Sequence, residues 1–430
     1  MSSIETRPVS IDTEPLHSPA NLGIGASSEG QSFPNALQGW LAITAIVLVA
    51  VDLRPAIVSI GPVLPSIRHE FHLSHATASL LTSIPNLLMG SLALPTPWLA
   101  RRFGRGRLLL VALILLCVST VARAFSPSTA VLLWTTGGVG AGIAVAGTLI
   151  AGFIKANFPT KAALLMGIYA ASLSVGSTIT AATTGLLAGY HDRGWRFATG
   201  AWSVFGLVAI VTWMVVTILE HQHKMKIGRL QLHHHVPLPL RNKTAWMVAM
   251  YYAFNNFLFY AMLAWLAPMF LESGSSPTRA GLILGSFTVA FMFGNIVFGT
   301  LSRSHDRRKW LAACAVLTSA GMIPLAMLPN LAPFLWISVS AFGLGGGFTL
   351  GMTLPLDNTH GVEEANAWNA FVMTVGYLFA AGGPLMVGAV RDLTGGFQLP
   401  VWLLVAISVA TLAVTPLLKP HQGRSEITAR

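Results

Sequence analysis

The feature that most constrains this chain is a series of apolar segments, each long enough to cross a lipid bilayer. A helix that spans the hydrocarbon core needs roughly 20 apolar residues at a rise of 1.5 Å per residue. Of the 430 residues, 53% are hydrophobic and only 10% are charged, whereas soluble domains carry about 25% charged residues. The pattern therefore predicts an all-α membrane protein with about 12 transmembrane helices. The predicted spans are 37–65, 75–98, 107–124, 129–155, 162–189, 195–219, 244–271, 278–302, 309–328, 331–355, 365–389 and 398–417.

Lysine and arginine alternate in density between successive loops. Of the 26 such residues, 19 fall in segments on one side of the predicted membrane, 6 fall on the other side, and Arg54 lies within a span. Cytoplasmic loops of membrane proteins are enriched in these two residues. The asymmetry predicts a multi-pass protein of the cell inner (plasma) membrane with both termini in the cytoplasm. It also accounts for the net charge of +11 without a nucleic-acid partner.

The chain is expected to divide into two similar halves. Two basic strings, LARRFGRGR at 99–107 and LSRSHDRRK at 301–309, occupy matching places between the second and third spans of each half. An internal repeat of six spans is typical of a major facilitator transporter. The predicted divisions are a disordered cytoplasmic tail at 1–36, a six-helix bundle at 37–219, a cytoplasmic loop at 220–243, a second six-helix bundle at 244–417 and a cytoplasmic tail at 418–430.

Two charged residues, Asp52 and Arg54, lie inside the first span. An arginine at the centre of a span costs roughly 2.5–3.5 kcal/mol on insertion scales, so it is retained where it faces a wet cavity or a buried partner. Pro55 should loosen the helix beside it. Residues two apart do not face each other on a helix, so Asp52 is not expected to pair with Arg54 unless the kink reorients it. We expect Arg54 to contact a substrate anion, with a structural ion pair as the alternative, and Asp52 to be a proton-coupling candidate.

A second polar cluster lies in the seventh span, where amide and hydroxyl side chains recur at helical spacing. Asn255, Asn256 and Tyr260 are its candidate substrate contacts. Hydrogen bonding between helices is the alternative for the two amides, because unpaired amides are unfavourable in hydrocarbon. Tyr377 in the eleventh span is a further candidate that could line the cavity or simply pack.

Several features outside these two clusters have simpler interpretations. Arg123 is expected to anchor the outer surface, and Trp265 to mark the outer interface, where tryptophans concentrate. The glycine-rich segments 137–147 and 343–351 lack the lysine of a phosphate-binding loop, so close helix packing explains them better. Four arginines between the second and third spans could gate the cytoplasmic side, although topology alone would also place them there: Arg101, Arg102, Arg105 and Arg107.

The strings LRPAIVSIGPVLPSI in the first span and VGYLFAAGGPLMVGAVRDLTGGF in the eleventh resemble the cyanate/nitroimidazole transporter family of the major facilitator superfamily. The resemblance covers about residues 37–417. It implies two bundles around a central cavity and secondary transport of a small anion or heterocycle. The chain departs from the family at positions that we expect to line the cavity, so the particular substrate does not follow from the resemblance. These departures are Asp52 for asparagine, Gly147 for asparagine, Ala151 for proline and Met373 for glutamine.

The sequence thus favours a secondary transporter that works by alternating access, driven most simply by protons. We expect a monomer that needs no cofactor or metal and whose partners are a small-molecule substrate and membrane lipid. The chief alternative is a multidrug-type exporter of neutral heterocycles, which the aromatic seventh span would suit. A membrane-embedded enzyme would need a nucleophile, base or metal cluster at membrane depth, and Asp52 is the only acidic residue well inside a span. A passive channel would differ by turnover that does not saturate.

The charge asymmetry makes a prediction about topology. Reporter fusions should place residues 220–243 and both termini in the cytoplasm, and a reporter at 274–276 outside, because positive loops are retained on the inner side. Cysteine accessibility in intact cells provides the second measurement. A central loop that is labelled from outside would contradict the predicted number of spans.

Overall fold

The computed structural model describes residues 36–158, 161–190, 194–224, 237–302, 306–359 and 362–418. Within these ranges the regular structure is helical, and no β-strand is present. The first half of the chain forms α1 (Ala36–Asp52), α2 (Pro55–Val58), α3 (Ile60–Phe71), α4 (His75–Ala93), α5 (Thr96–Phe103), α6 (Arg105–Ala124), α7 (Thr129–Asn157), α8 (Ala162–Tyr190), α9 (Trp195–Gly200) and α10 (Ser203–Lys224). The second half forms α11 (Lys243–Glu272), α12 (Pro277–Leu301), α13 (Arg308–Met327), α14 (Pro333–Asp357), α15 (Val362–Ala380), α16 (Gly382–Thr394), α17 (Gln398–Val414) and a 3₁₀ turn (Thr415–Leu417).

The predicted spans are confirmed in number and order. In the described ranges, 11 helical segments are long and apolar enough to cross a membrane, or 12 when α4 and α5, which are bent by 64°, count as one span. The predicted ends are less accurate. The first span continues to Phe71 and the eleventh to Thr394, because both helices extend past the apolar core into polar residues that hydropathy assigns to loops.

The glycine-rich segments serve close helix packing, as the sequence indicated. A Cβ added at Gly142 of α7 would lie 2.8 Å from the carbonyl oxygen of Ala112 in α6. In the second half, Gly345 of α14 packs directly on the backbone of Phe291 in α12. Small residues let helix backbones approach this closely. Neither segment holds a phosphate-binding loop, since both lie within continuous helices.

The two halves meet mainly toward one end, which we name the outer end after the predicted topology; it carries Phe71, Glu272 and Thr394. The hydroxyls of Thr178 in α8 and Thr288 in α12 are 2.9 Å apart. Ser83 of α4 donates to the carbonyl of Ala381, beside α16, at 2.7 Å. Between described residues, every hydrogen bond that joins the halves lies at Arg54 or nearer the outer end. The halves are therefore closed together at the outer end.

Trp265 contributes to this closure, and its expected place at the lipid interface is wrong. The residue is only 3% exposed, and its indole N–H donates to the carbonyl of Pro384 at 2.9 Å. Its ring packs against His75 and Phe397 at centroid distances of 5.5 and 5.7 Å. A buried indole N–H needs an acceptor, and here a carbonyl of the eleventh span provides it.

Candidate functional site

The first span is interrupted where Pro55 follows Arg54. Helix α1 ends at Asp52, and α2 begins at Pro55. Because proline has no N–H, it cannot donate to the carbonyl of Val51, four residues earlier. Helical hydrogen bonding resumes where the N–H of Val58 donates to the carbonyl of Arg54 at 3.0 Å. The loosening that the sequence predicted is thus present beside the intramembrane arginine.

Neighbouring helices accommodate the freed backbone. Gly176 of α8 packs on the carbonyl of Val51 so closely that no Cβ would fit there. Arg123 of α6 donates its Nη2 to the carbonyl of Ala56 at 2.7 Å. Arg123 is only 1% exposed, so its predicted role as an outer-surface anchor is wrong. A buried carbonyl needs a donor, and a guanidinium at the end of α6 supplies one.

Arg54 itself reaches across to the second half of the chain. Its Nη1 donates to the hydroxyl of Tyr260 in α11 at 3.1 Å, across a sequence separation of 206 residues. The side chain is half-buried and forms no ion pair with any described residue. A guanidinium has five N–H donors, so Arg54 keeps donors that a ligand could use. The alternative of a structural ion pair finds no support in the described part of the chain.

Four tyrosines surround this arginine, and we call them the tyrosine cluster: Tyr169, Tyr252, Tyr260 and Tyr377. The rings of Tyr260 and Tyr377 are 6.2 Å apart between centroids, and those of Tyr252 and Tyr377 are 6.4 Å apart. Tyr169 and Tyr377 lie close enough to Arg54 to interact with it electrostatically. The cluster brings spans five, seven and eleven to the break in span one.

Sequence reasoning missed Tyr169, although a signal for it was present. The Tyr169 hydroxyl lies 3.5 Å from the place where a Cβ of Gly147 would stand. Gly147 is one of the positions where the chain departs from the family it resembles. The absence of a side chain at Gly147 of α7 therefore leaves room for the tyrosine of α8.

The two amides of α11 are arranged differently from one another. Asn255 donates its Nδ2 to the carbonyl of Leu344 in α14 at 3.2 Å, which is the hydrogen bond between helices that the sequence offered as an alternative. Asn256 donates to the carbonyl of Tyr252 at 2.8 Å. Both amides are buried. Asn256 thus lies next to the tyrosine cluster, whereas the amide of Asn255 joins α11 to α14.

Asp52 and Arg54 are not brought together. Asp52 is 5% exposed and makes no hydrogen bond or ion pair with a described residue. Its Oδ1 lies near Gly206 of α10, which also packs on the side chain of Cys117 in α6. The carboxyl therefore faces helices of its own half, whereas Arg54 faces the second half.

The arginines of the predicted gating loop lie at the end opposite the outer end. Arg101 and Arg102 end α5, while Arg105 and Arg107 begin α6. All four are exposed, and none pairs with a carboxylate of the described residues. The guanidinium of Arg102 lies 5.7 Å from the ring centroids of both Trp98 and Phe103.

The corresponding loop of the second half is paired instead. Arg307 donates its Nε to Asp357 at the end of α14 at 2.6 Å. Arg308 donates its Nη2 to Asp306 at 2.6 Å, and this hydrogen bond holds the pKa of the Asp306 carboxyl below its ordinary value. The two repeats therefore differ in charge pairing at the same place in the fold.

Comparison with known proteins agrees with this geometry. The sequence model of the Major Facilitator Superfamily matches the chain twice, at residues 46–273 and 245–429. The chain belongs to the major facilitator superfamily. The two matches, one over each half, also agree with the repeat that the basic strings indicated.

Two characterised relatives carry the resemblance further. The cyanate transport protein CynX of Escherichia coli (strain K12) is 31% identical over 381 residues, which cover 87% of this chain and 96% of that protein. The 2-nitroimidazole transporter of the same organism is 29% identical over 86% of this chain and 92% of its own length. The predicted resemblance to cyanate and nitroimidazole transporters is confirmed, and the chain is a major facilitator transporter related to them.

A solved structure shows the same fold. A bacterial homologue of the human lysosomal transporter Spinster, in an inward-facing and occupied conformation, superposes with a TM-score of 0.76 at 18% identity. The match covers 89% of this chain and 97% of that chain. This similarity shows that the two chains share their overall fold.

The packing beside the proline break makes a prediction about stability. Gly176→Ala should destabilise the purified protein by about 1–3 kcal/mol, because the new Cβ would meet the carbonyl of Val51. Gly167→Ala, on the same helix but with no atom within 4 Å of its Cβ position, is the control and should be neutral or stabilising by up to about 1 kcal/mol. Thermal unfolding in detergent measures both. Equal melting temperatures for the two variants would contradict the close contact.

Proposed function

We propose that this chain is a secondary active transporter that moves a small anion or small heterocycle across the cell inner (plasma) membrane by alternating access. The observation that supports this best is the position of Arg54. It lies at a break in the first span, carries no carboxylate partner in the described part of the chain, and hydrogen bonds to Tyr260 of the opposite half. An intramembrane cation of this kind supports the hypothesis of a functional site.

The chemistry of the site suits substrates like those of the named relatives. Cyanate is a linear anion with acceptor atoms at both ends, and a nitro group presents two acceptor oxygens in one plane. A guanidinium offers donors in a planar fork that fits such groups, and tyrosine hydroxyls can donate to the same ligand. We propose Arg54, Tyr260, Tyr377 and Asn256 as substrate contacts. Asn255 is the least favoured of the predicted contacts, since its amide already donates a hydrogen bond to the carbonyl of Leu344.

Alternating access would move two bundles, 37–219 and 244–417, against one another. The closed outer end is what such a carrier would show while its site opens to the cytoplasm. We propose that both termini are cytoplasmic and that the exposed arginines at 101–107 act in gating at that side. Since Arg54 and the tyrosine cluster all belong to one chain, a monomer suffices for transport.

The aromatic surroundings of Arg54 favour a second candidate, an exporter of neutral heterocycles. Tyr252 packs on Phe348, and Phe259 packs on Phe291 with centroids 4.4 Å apart. Flat rings stack well on such faces. Binding of neutral compounds that does not change with salt would favour the exporter, whereas an anion held by Arg54 in a wet cavity should bind more weakly as salt rises.

Arg54 provides the direct test of the proposed function. Arg54→Ala and Arg54→Lys should both abolish uptake of labelled cyanate into proteoliposomes while leaving membrane insertion intact. Lysine keeps the charge but loses the forked donors, and alanine removes a costly charge from the span. Arg279→Ala, at an exposed arginine of the outer end, is the matched control and should transport normally. Transport by Arg54→Lys at a near wild-type rate would contradict the role of the forked donors.

We further propose that transport is coupled to protons and that Asp52 is the coupling group. Asp52 is a buried carboxyl without a hydrogen-bond partner among the described residues. A charge in such a place is costly, so a carboxyl that gains and loses a proton as the bundles move could link proton and solute movement. Because the Asp52 carboxyl faces α6 and α10 and not Arg54, this coupling would act through the packing of α1, α6 and α10.

The coupling role predicts the behaviour of Asp52→Asn. In liposomes with an imposed pH gradient, this variant should equilibrate solute but lose accumulation against a gradient. Cys117→Ala is the control, since it alters a neighbour of Asp52 without removing an ionisable carboxyl. Accumulation by Asp52→Asn with an unchanged pH profile would exclude Asp52 as the coupling group.

A further inference from the structure

A second group of ionisable side chains lies at the outer end, far from Arg54. His75, the first residue of α4, stands between two carboxylates of the second half. Its Nε2 is 2.9 Å from Oε1 of Glu272, and its Nδ1 is 2.6 Å from Oδ1 of Asp392. His75 is only 7% exposed. One imidazole ring therefore joins α4 to both α11 and α16.

Two arginines complete what we call the outer cluster: Arg68, His75, Glu272, Arg391 and Asp392. Arg68 of α3 lies 3.2 Å from Oε1 of Glu272, and Arg391 of α16 lies 2.9 Å from Oε2 of the same carboxylate. Asp392 also accepts the backbone N–H groups of His75 and Ala76 at 3.0 and 2.8 Å. These are the charged groups that face His75 from the packed helices. Trp265 and Phe397 add only ring contacts.

The geometry of the outer cluster favours a proton on both ring nitrogens, because each nitrogen lies within hydrogen-bond distance of a carboxylate oxygen. A neutral imidazole has one N–H donor and one acceptor nitrogen. Between two carboxylates, its acceptor nitrogen would face an oxygen that also only accepts. An imidazolium donates from both nitrogens and forms two charge-assisted hydrogen bonds, which are the stronger kind. The closed arrangement of the outer end therefore favours the protonated ring.

Protonation also increases the attraction between the two halves, because the second half contributes two carboxylates and one arginine to the cluster and so is net negative there. Without the proton, the first half contributes one cation of the cluster, Arg68, which faces Glu272, Asp392 and Arg391 of the second half. With the proton, His75 adds a second cation to the first half. Closure of the outer end and protonation of His75 are linked equilibria. If closure favours the protonated ring, then protonation favours closure to the same extent.

We propose that His75 is a proton-binding site through which external pH controls closure of the outer end. Acidification outside protonates the ring and closes the two halves together; alkalinisation removes the proton and lets them separate. The proton enters and leaves on the outer side, because His75 lies at that end. The site therefore regulates the gate and does not carry a proton across, unlike the role proposed for Asp52. The inference rests on the alternating access proposed above.

The experiment measures the separation of the outer ends directly. Spin labels are attached at Ala130→Cys in α7 and at Asn330→Cys, between α13 and α14, and the distance between them measures the separation of the two halves. Cys117 and Cys314 are replaced by alanine so that they do not react with the label. Distances are measured in lipid nanodiscs at about pH 5.5 and about pH 8.5, since histidine changes charge between about pH 5 and 8. The wild-type protein should show the short distance at low pH and gain a longer one at high pH.

Three variants distinguish protonation of His75 from general effects of acid on the protein. His75→Gln should lose the pH response and keep the longer distance at both pH values. His69→Gln, at an exposed histidine in the last turn of α3, should respond like the wild type. Asp392→Asn removes one carboxylate but keeps an oxygen for the N–H of Ala76, so it should weaken the pH response. This variant provides the test if His75→Gln does not fold.

Three results would overturn the proposal: a pH response that survives in His75→Gln, a response lost equally in His69→Gln, or one distance at both pH values in the wild type. Uptake of labelled cyanate, measured in parallel, keeps this test apart from the proposed function. A single distance together with normal uptake would refute the outer proton site alone. If the distance changes with pH in a way that depends on His75 but no cyanate is taken up, the proton site is supported and cyanate transport is contradicted.

Discussion

The structure depends on the interruption of a membrane helix at Pro55. In hydrocarbon, a backbone carbonyl without a donor is costly, and irregular backbone is tolerated only where protein or a water-filled cavity surrounds it. Here Gly176 lets α8 cover the carbonyl of Val51, and Arg123 donates to the carbonyl of Ala56. The interruption in turn allows Arg54 to lie within a span beside polar backbone, with no carboxylate partner in the part of the chain that the structure describes.

Among the polar contacts that join the halves, two sets that involve charged side chains lie at different depths. Arg54 meets Tyr260 in the middle of the molecule, and His75 meets Glu272 and Asp392 at the outer end. A movement that separates the halves at the outer end would change both sets. The proposed substrate and an external proton would then act on the same equilibrium, the substrate through the central tyrosines and the proton through the outer cluster.

The sequence predicted the architecture because spans are local features. A run of apolar residues and the alternation of lysine and arginine need no tertiary information, and the proline beside Arg54 marked the break. Arg123, Trp265 and His75 were harder. Each lies near the end of a span, where polar or aromatic residues usually meet solvent or lipid headgroups, and only the packing of other helices shows that they are buried. Tyr169 was missed for a related reason, since its place depends on the absent side chain at Gly147.

The central claim is that the Arg54 guanidinium and the Tyr260 hydroxyl hold the substrate as one unit. A double-mutant cycle tests it, with cyanate binding measured calorimetrically for the wild type, Arg54→Lys, Tyr260→Phe and the double variant. Residues that act on one ligand together show coupling of 0.5–3 kcal/mol, roughly, beyond the sum of their single effects. The account predicts that the double variant binds hardly more weakly than Arg54→Lys. Losses that simply add would show that the two residues act independently and would contradict the account.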